Sequence, residues 1–337
     1  MNLQYLMIML RTPDLAGLAR AMRESLHYVR MHYLHAALDC GLIEALRRPR
    51  TREELLGLLN VRRPQFLDGL LELGLSLKEL KCKRGEFSIK GGLSRSLLGP
   101  QGGVLGAMIQ ANATYYNSVY RHAAERMRGA PLGDYLPQIG PLVAKFSEVS
   151  EPFLRRFLRA NLAGRKTPRI LDLGCGAGFG LRGAHQANPE AEGVGVEMDP
   201  AVARQAEENL TSWGLGSRFR VAVGDLRDIL EGLPGPFDLI TMINLVYYFT
   251  EEERRGLFAR LRPLLAPGGA LALASNFGSQ GRDPMAANLN LATCSIKDCT
   301  PLPRLGDLCA QLEQSGYTQV KSTRIVPGSA YYAVTAS

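Results

Sequence analysis

The sequence predicts an α/β fold in two parts: a mostly helical domain over residues 1–165 and a doubly wound domain with a seven-stranded sheet over residues 166–337. Two observations predict it. Up to about residue 165 the apolar residues recur mainly at helical spacing, whereas beyond Thr167 short apolar segments alternate with amphipathic ones. The 337 residues, of which 46% are hydrophobic, are enough for one large or two ordinary domains.

The first half is expected to consist of helices followed by a β-hairpin. Apolar spacing predicts a helix over residues 14–47 that is interrupted at Gly41. Thr51 and Glu54 have the spacing of a capping box, and Pro64 is typical of the first turn of a further helix. Residues 79–82 and 86–89 flank a Lys-Arg-Gly turn and predict a hairpin, which gives the order of a winged helix. Residues 100–165 are expected to be helical again, with a break near residues 129–140.

The second half predicts a mainly parallel sheet. Strands are expected at residues 169–173, 193–197, 218–223, 237–243, 270–275, 319–326 and 331–335, and helices at 178–187, 200–213, 226–231, 251–265 and 305–315. Alternation of strands and helices is typical of a doubly wound fold. The last two strands are joined by a link too short for a parallel crossover, so they should pair antiparallel. Residues 276–304 are expected to form a long loop.

Charge and cysteine content bear on the binding partners, metal sites and cellular location that can be expected. The net charge of +8 is uneven: residues 1–168 contain 25 basic and 14 acidic residues, against 15 and 18 in the remainder. A basic first half fits either a solvated surface or an anionic partner. The six cysteines are scattered without a CxxC pair or further metal ligands, so we expect no metal site. No apolar stretch is long enough for a bilayer and no secretory signal is evident, which predicts a cytoplasmic protein.

A glycine-rich segment marks the expected ligand site. The strand over 170–173 leads into Gly174-Cys-Gly-Ala-Gly178, and such a loop before a helix lets a ligand approach the backbone closely. Glu197 ends the next strand, where a carboxylate accepts hydrogen bonds from both ribose hydroxyls of an adenosine. Asp225 ends the third strand and is placed to accept the adenine amino group. These positions predict a cofactor that contains adenosine.

The same segments resemble the successive motifs of class I S-adenosylmethionine (SAM) dependent methyltransferases. The matching motifs are Leu171–Gly178, Gly195–Pro200, Gly224-Asp225, Phe237–Ile240 and Pro267–Gly269. The resemblance implies a Rossmann-like seven-stranded SAM methyltransferase domain, with S-adenosylhomocysteine (SAH) as the product. It also implies a set of cofactor-binding residues: Asp172, Gly174, Cys175 and Gly176 for the amino-acid moiety, Glu197 for the ribose, Met198, Gly224, Asp225 and Leu226 around the adenine, and Asn244.

The layout of the whole chain is similar to that of the small-molecule O-methyltransferases of the caffeic acid and hydroxyindole type. In that family an all-helical dimerisation and winged-helix domain precedes the SAM domain. The likeness implies a homodimer, formed through residues 1–40 and parts of 100–165, and a small hydrophobic or aromatic acceptor. In the family a His-Asp-Trp stretch follows the fourth strand and its histidine is the general base. Here Tyr247 and Tyr248 occupy the His and Asp positions.

This departure changes the expected chemistry. A tyrosine, with a pKa near 10, is a poor base at neutral pH, but it can orient an acceptor by a hydrogen bond. Tyr247 and Tyr248 are therefore candidate catalytic residues, and the alternative is that they only line the pocket. C-methylation stands beside O-methylation, since bacteriochlorophyllide C-methyltransferase shares the layout and similarly lacks the histidine. Asn276 and Met285 are expected to contact the acceptor.

Two other functions fit parts of the sequence. The winged helix and its basic residues would suit nucleic acid, as a regulator or an RNA or DNA methyltransferase, through Arg62, Arg63, Lys81, Lys83, Arg84 and Lys90. The fourth strand, however, lacks the Asn/Asp-Pro-Pro-Tyr run typical of base-modifying enzymes. A SAM-binding fold with chemistry other than methyl transfer, such as hydroxylation, is the third hypothesis.

Overall fold

The computed structural model describes residues 13–134, 142, 145 and 148–337. The chain forms two compact units, one of Met1–Ser118 with Pro141–Phe146 and the other of Val119–Gly140 with Ser147–Ser337. The domain boundary expected between residues 165 and 166 stays a prediction. Parts of the predicted dimerisation region and of the predicted break near residues 129–140 lie outside the described residues.

The first unit is mainly helical and contains one small sheet. Its elements are α1 (Leu15–Asp39), α2 (Leu42–Ala45), β1 (Arg50–Thr51), α3 (Arg52–Leu58), α4 (Pro64–Ser76), β2 (Leu80–Lys83), β3 (Glu86–Ile89), α5 (Gly92–Leu97), α6 (Gly102–Ala111) and a π-helical turn (Asn112–Tyr116). The predicted interruption at Gly41 is confirmed, with a positive φ of 75°. The capping box is confirmed as well, because the Thr51 side chain accepts from the Glu54 N–H and Glu54 accepts from the Thr51 N–H. The predicted hairpin forms, and β1 adds a third strand in the antiparallel order β1-β3-β2.

The helix α7 (Asn117–Arg121) crosses from the first unit into the second, and α8 (Ala123–Met127) lies in the second unit, whose sheet begins after α9. Its further elements are α9 (Glu151–Leu162), β4 (Arg169–Leu173), α10 (Phe179–Ala187), β5 (Glu192–Glu197), α11 (Pro200–Ser212), β6 (Phe219–Val223), β7 (Phe237–Ile243), α12 (Glu251–Leu261), β8 (Leu265–Asn276), α13 (Pro284–Thr293), α14 (Leu305–Gln314), β9 (Lys321–Arg324) and β10 (Tyr331–Ala336). Short 3-10 turns cover Ile229–Gly232, Val246–Tyr248 and Arg262–Leu264.

The seven strands form one sheet in the order β6-β5-β4-β7-β8-β10-β9. Strands β4 to β8 pair parallel with one another. Strand β10 pairs antiparallel with both β8 and β9, and the short link between β9 and β10 predicts the second of these pairings. The chain proceeds outward from β4 on one side and from β7 on the other. A ligand site is therefore expected at the carboxyl ends of β4 and β7, where the strand order reverses.

Both faces of this sheet are covered, which explains the continuous apolar character of its central strands. Leu171 and Leu173 of β4 belong to the core on the α12 and α14 side, whereas Ile170 belongs to the core on the α9 and α10 side. No described helix is long and apolar enough to cross a membrane.

Four expectations about the elements are corrected. The segment over 276–304 is not a continuous loop, because it contains α13, whose first turn is capped by Asp283. The helix expected at 226–231 is a short 3-10 turn at Ile229–Gly232. Strand β8 begins at Leu265 rather than 270, and β9 is limited to Lys321–Arg324, where all four residues are exposed.

Candidate active site

The glycine-rich loop between β4 and α10 has a backbone conformation that residues with side chains rarely adopt. Gly174, Gly176 and Gly178 all have positive φ values, of 61°, 52° and 86°. A Cβ on Gly174 would also lie 2.7 Å from Cδ1 of Leu245. The loop is therefore held in a left-handed conformation that brings its backbone to the surface of the site.

Glu197 connects this loop to the end of β5. The N–H of Gly176 donates to Glu197 Oε2 at 3.1 Å, and the N–H of Asp199 donates to Glu197 Oε1 at 3.1 Å. Each carboxylate oxygen accepts one backbone hydrogen bond and keeps a lone pair for a further donor. The side chain is thus fixed beside the loop and able to accept from hydroxyl groups.

Asp172 lies beneath the loop and is almost fully buried, with 3% of its surface exposed. The hydroxyl of Thr241, on the neighbouring strand β7, donates to its Oδ1 at 2.6 Å. Burial raises the pKa of Asp172 to about 7; the hydrogen bond from Thr241 opposes this rise and the charge of Glu197 adds to it. Burial also raises the pKa of the Cys175 thiol, and the Asp172 and Glu197 charges raise it further. Two carboxylates therefore make the environment of the glycine loop acidic.

The residues expected around the adenine lie at the ends of β5 and β6. The Gly224 N–H donates to the Glu197 carbonyl at 3.0 Å, which brings the two strand ends together. Leu226 is buried, while the Met198 side chain is 66% exposed. Asp225 accepts from the backbone N–H of Arg227 at 2.8 Å and from its guanidinium at 3.2 Å. Sequence reasoning missed Arg227, although the Asp-x-Arg spacing was available as a signal.

Asn244 follows β7 and adopts a left-handed conformation with φ 53°. Its N–H donates to the Ala274 carbonyl at 2.8 Å, and its side-chain Oδ1 is buried. The phenol of Tyr331 lies beside it: burial raises the pKa of Tyr331 to about 12, and the Ser150 and Asn244 side chains partly oppose the rise. Asn244 thus stands at the edge between the glycine loop and β10.

Tyr247 and Tyr248 form part of a 3-10 turn directly after Asn244. Their ring centroids are 4.9 Å apart, and Tyr247 is 8% exposed. Burial raises the pKa of Tyr248 well above its usual value, and the charges of Cys299 and Glu197 add to that rise. Because its pKa is raised, less of this phenol is in the phenolate form, which could accept a proton, than in a free tyrosine at neutral pH.

Asn276 and Met285 lie on the acceptor side that the sequence predicts. Asn276 ends β8 opposite Tyr331, and Met285 occupies the first turn of α13 with 57% of its surface exposed. Within the described residues, no group of three or more His, Cys, Asp or Glu is placed to hold a metal ion.

Comparison with known sequences identifies a methyltransferase domain over the same part of the chain. Residues 170–269 match the family model described as a methyltransferase domain. Demethylspheroidene O-methyltransferase of Cereibacter sphaeroides is 24% identical, and the match covers 97% of this chain and 89% of that protein. An uncharacterised protein of Synechococcus is 36% identical over 113 residues, but this match spans only 26% of its length.

Solved structures of similar fold cover nearly the whole chain. The mitomycin 7-O-methyltransferase MmcR has a TM-score of 0.76 at 18% identity, with 95% of this chain and 99% of that chain covered. Human N-acetylserotonin methyltransferase in complex with SAM has a TM-score of 0.72 at 17% identity, with 97% and 98% covered.

The fold, the glycine loop and the acidic residues around it define a SAM-dependent methyltransferase. Residues 170–269 match the methyltransferase domain family, and along its length the chain has the fold of the solved small-molecule O-methyltransferases. The predictions of family, fold and cofactor are confirmed. Neither the nucleic-acid hypothesis nor that of other chemistry is favoured by these matches.

Proposed function

We propose that this chain transfers the methyl group of SAM to oxygen or carbon of a small hydrophobic or aromatic metabolite. The observation that carries the proposal is the acidic character of the glycine loop. Asp172 lies buried beneath the loop and Glu197 accepts the N–H of Gly176. The buried carboxylate of Asp172 complements a ligand with an ammonium group rather than a pyrophosphate, and Glu197 is placed to accept from the ribose hydroxyls of an adenosine.

The proposed cofactor contacts follow the order of the strands. Asp172, with the backbone of Gly174, Cys175 and Gly176, would hold the amino-acid moiety, and Glu197 would accept from the ribose hydroxyls. Gly224, Asp225 and Leu226 would frame the adenine, with Met198 packed on its face and Asn244 at the methyl end. The fixed orientations of Glu197 and Asp225, each held by backbone N–H groups, support these roles.

The reaction requires positioning more than proton transfer by the protein. Bound SAM would supply an electrophilic methyl group, with SAH as the leaving group that keeps the electron pair of sulfur, and the proton lost by the acceptor would pass to solvent. Tyr247 and Tyr248 would line the acceptor pocket and orient its reacting group. The raised pKa of Tyr248 argues against a role as base, so the acceptor must be nucleophilic or readily ionised.

Acceptor contacts from Asn276 and Met285 are part of the same proposal. Met285 is exposed at the start of α13, and a flexible thioether adapts to ligands of varied shape. Asn276, at the end of β8, supplies an amide for a polar substituent. These two positions lie on the segment that follows the sheet's carboxyl edge.

A homodimer is the proposed assembly. Leu15, Leu18, Met22 and Leu26 of α1 are spaced three or four residues apart and are 36%, 52%, 71% and 59% exposed. An apolar stripe of this kind on one helix face is typical of an interaction surface. A cytoplasmic location, in keeping with six free cysteines, belongs to the proposal.

The proposal is tested by calorimetric titration with SAM and SAH, followed by a screen with radiolabelled SAM. We expect micromolar binding that Glu197→Ala abolishes, while Glu192→Ala, at the exposed start of the same strand, retains it. N-acetylserotonin, catechol and 1-naphthol serve as first acceptors, and mass spectrometry of the product distinguishes O- from C-methylation. A folded wild-type protein that binds neither SAM nor SAH would refute the proposal.

A further inference from the structure

The turn that carries the two tyrosines is held by side chains from distant parts of the chain. Thr300, which lies between α13 and α14, donates its N–H to the Tyr247 carbonyl at 2.7 Å. Its hydroxyl lies 3.1 Å from the same oxygen and 3.2 Å from the Phe249 carbonyl, so it donates to this pair as a shared bond. Thr300 therefore binds the backbone on both sides of Tyr248.

Arg254 of α12 holds the turn from beneath. Its Nη1 donates to the carbonyl oxygens of Val246 at 3.2 Å and Phe249 at 2.6 Å, and its Nε donates to Gln311 Oε1 at 3.1 Å. The residue is 5% exposed, and burial lowers the pKa of its guanidinium. The charges of Glu251 and Glu253, on the same helix, partly oppose this lowering. A buried charge of this kind is costly, so its carbonyl contacts must satisfy it.

The turn has little internal support of its own. At the turn the Tyr248 N–H donates to the Leu245 carbonyl at 3.1 Å. A three-residue 3-10 turn is too short to fix its own conformation. Thr300 and Arg254 therefore fix the backbone from which the two phenols project, and core packing surrounds the rings.

We infer that Thr300, acting with Arg254, is a positioning residue that holds Tyr247 and Tyr248 against the methyl acceptor. This inference rests on the proposed function. Where no strong base takes part, the rate depends on the alignment of the acceptor with the methyl group, and a displacement of about 1 Å can cost on the order of 100-fold. Thr300 also lies on the segment that carries Met285, so it joins the acceptor-side helix to the tyrosine turn.

The chain offers a matched set of variants. Thr300→Val removes the hydroxyl but keeps the shape and the backbone N–H, and Thr300→Ser restores the hydroxyl. Thr293→Val is the control, because Thr293 is 1% exposed and its hydroxyl bonds only to the Asn290 carbonyl in its own helix. Each variant is assayed for SAH affinity, for kcat and KM with the fastest acceptor among N-acetylserotonin, catechol and 1-naphthol, and for amide hydrogen exchange over residues 245–249.

In Thr300→Val we expect kcat to fall about ten-fold, with SAH affinity within about two-fold of wild type, because one hydrogen bond is lost. Exchange over residues 245–249 should rise, Thr300→Ser should recover both properties, and Thr293→Val should match wild type. Wild-type kcat or unchanged exchange in Thr300→Val overturns the inference, as does an equal loss in Thr293→Val. Failure of the wild type to bind SAH or to methylate any acceptor would instead count against the proposed function.

Discussion

The buried carboxylate of Asp172 should make cofactor binding depend on pH. Its pKa is about 7 in the free protein, so near neutral pH the Asp172 carboxyl is protonated in a large fraction of the protein molecules. A ligand with an α-ammonium group binds better to the ionised form, so binding should release protons and lower this pKa. The affinity for SAH should therefore rise with pH through the neutral range.

The size of the effect follows from the ionised fraction. With a pKa of about 7, Asp172 is about 3% ionised at pH 5.5 and about 76% ionised at pH 7.5, so apparent affinity should rise about 25-fold. Asp172→Asn keeps an oxygen that accepts from Thr241 but removes the charge. At pH 7.5 this variant should bind SAH with about 1.5–3 kcal/mol less free energy, or roughly ten- to 150-fold more weakly.

Isothermal titration at several pH values, in buffers with different ionisation enthalpies, measures both the affinity and the proton release. The control ligand is 5′-methylthioadenosine, which has the adenosine but no amino-acid moiety, and its affinity should be nearly constant over this range. A pH-independent affinity for SAH in the wild type, or the same slope in Asp172→Asn, would refute the assignment of Asp172 to the ammonium group.

Two further predictions concern the tyrosine turn and the assembly. Tyr248→Phe should keep methyl transfer within about five-fold of wild type from pH 7 to 9, because burial raises the pKa of this phenol and makes it a poor base; a loss of 100-fold or more in the radiolabel assay would show proton transfer by Tyr248. Met22→Glu on the exposed stripe of α1 should convert the dimer to monomer in analytical ultracentrifugation, whereas Met127→Glu, at a position 88% exposed in α8, should not. A dimer that persists in Met22→Glu would place the interface elsewhere.

The central strands could be predicted because their sequence is dominated by burial. Strands β4 and β7 have the predicted ends, since each is mostly apolar and follows a proline, and Gly174 ends the first of them. The helix α13 was missed because its apolar residues have no clear helical period. Its start was nevertheless marked by Asp283 followed by Pro284, an N-cap and a first-turn proline.

Some site residues could likewise be predicted from the sequence, and others could not. Gly174, Glu197 and Asp225 could be predicted because each follows a strand within a local motif. Thr300 and Arg254 could not, since Thr300 contacts a residue 53 positions away and Arg254 contacts Gln311, 57 positions away. Contacts of this kind depend on how the strands and helices pack, and no pattern within one segment of sequence indicates them.

The groups that the protein supplies determine how nucleophilic the acceptor must be by itself. Asp172 has a pKa near neutrality, but it is buried beneath the glycine loop and bonded to Thr241, so it is committed to the cofactor side. On the acceptor side the turn presents phenols, and that of Tyr248 is a weak base. The protein therefore contributes alignment and a cation-binding pocket, and the acceptor must bring its own nucleophilicity. This favours an acidic phenol, an enol or an electron-rich ring carbon over an aliphatic alcohol, whose proton would need a strong base to leave.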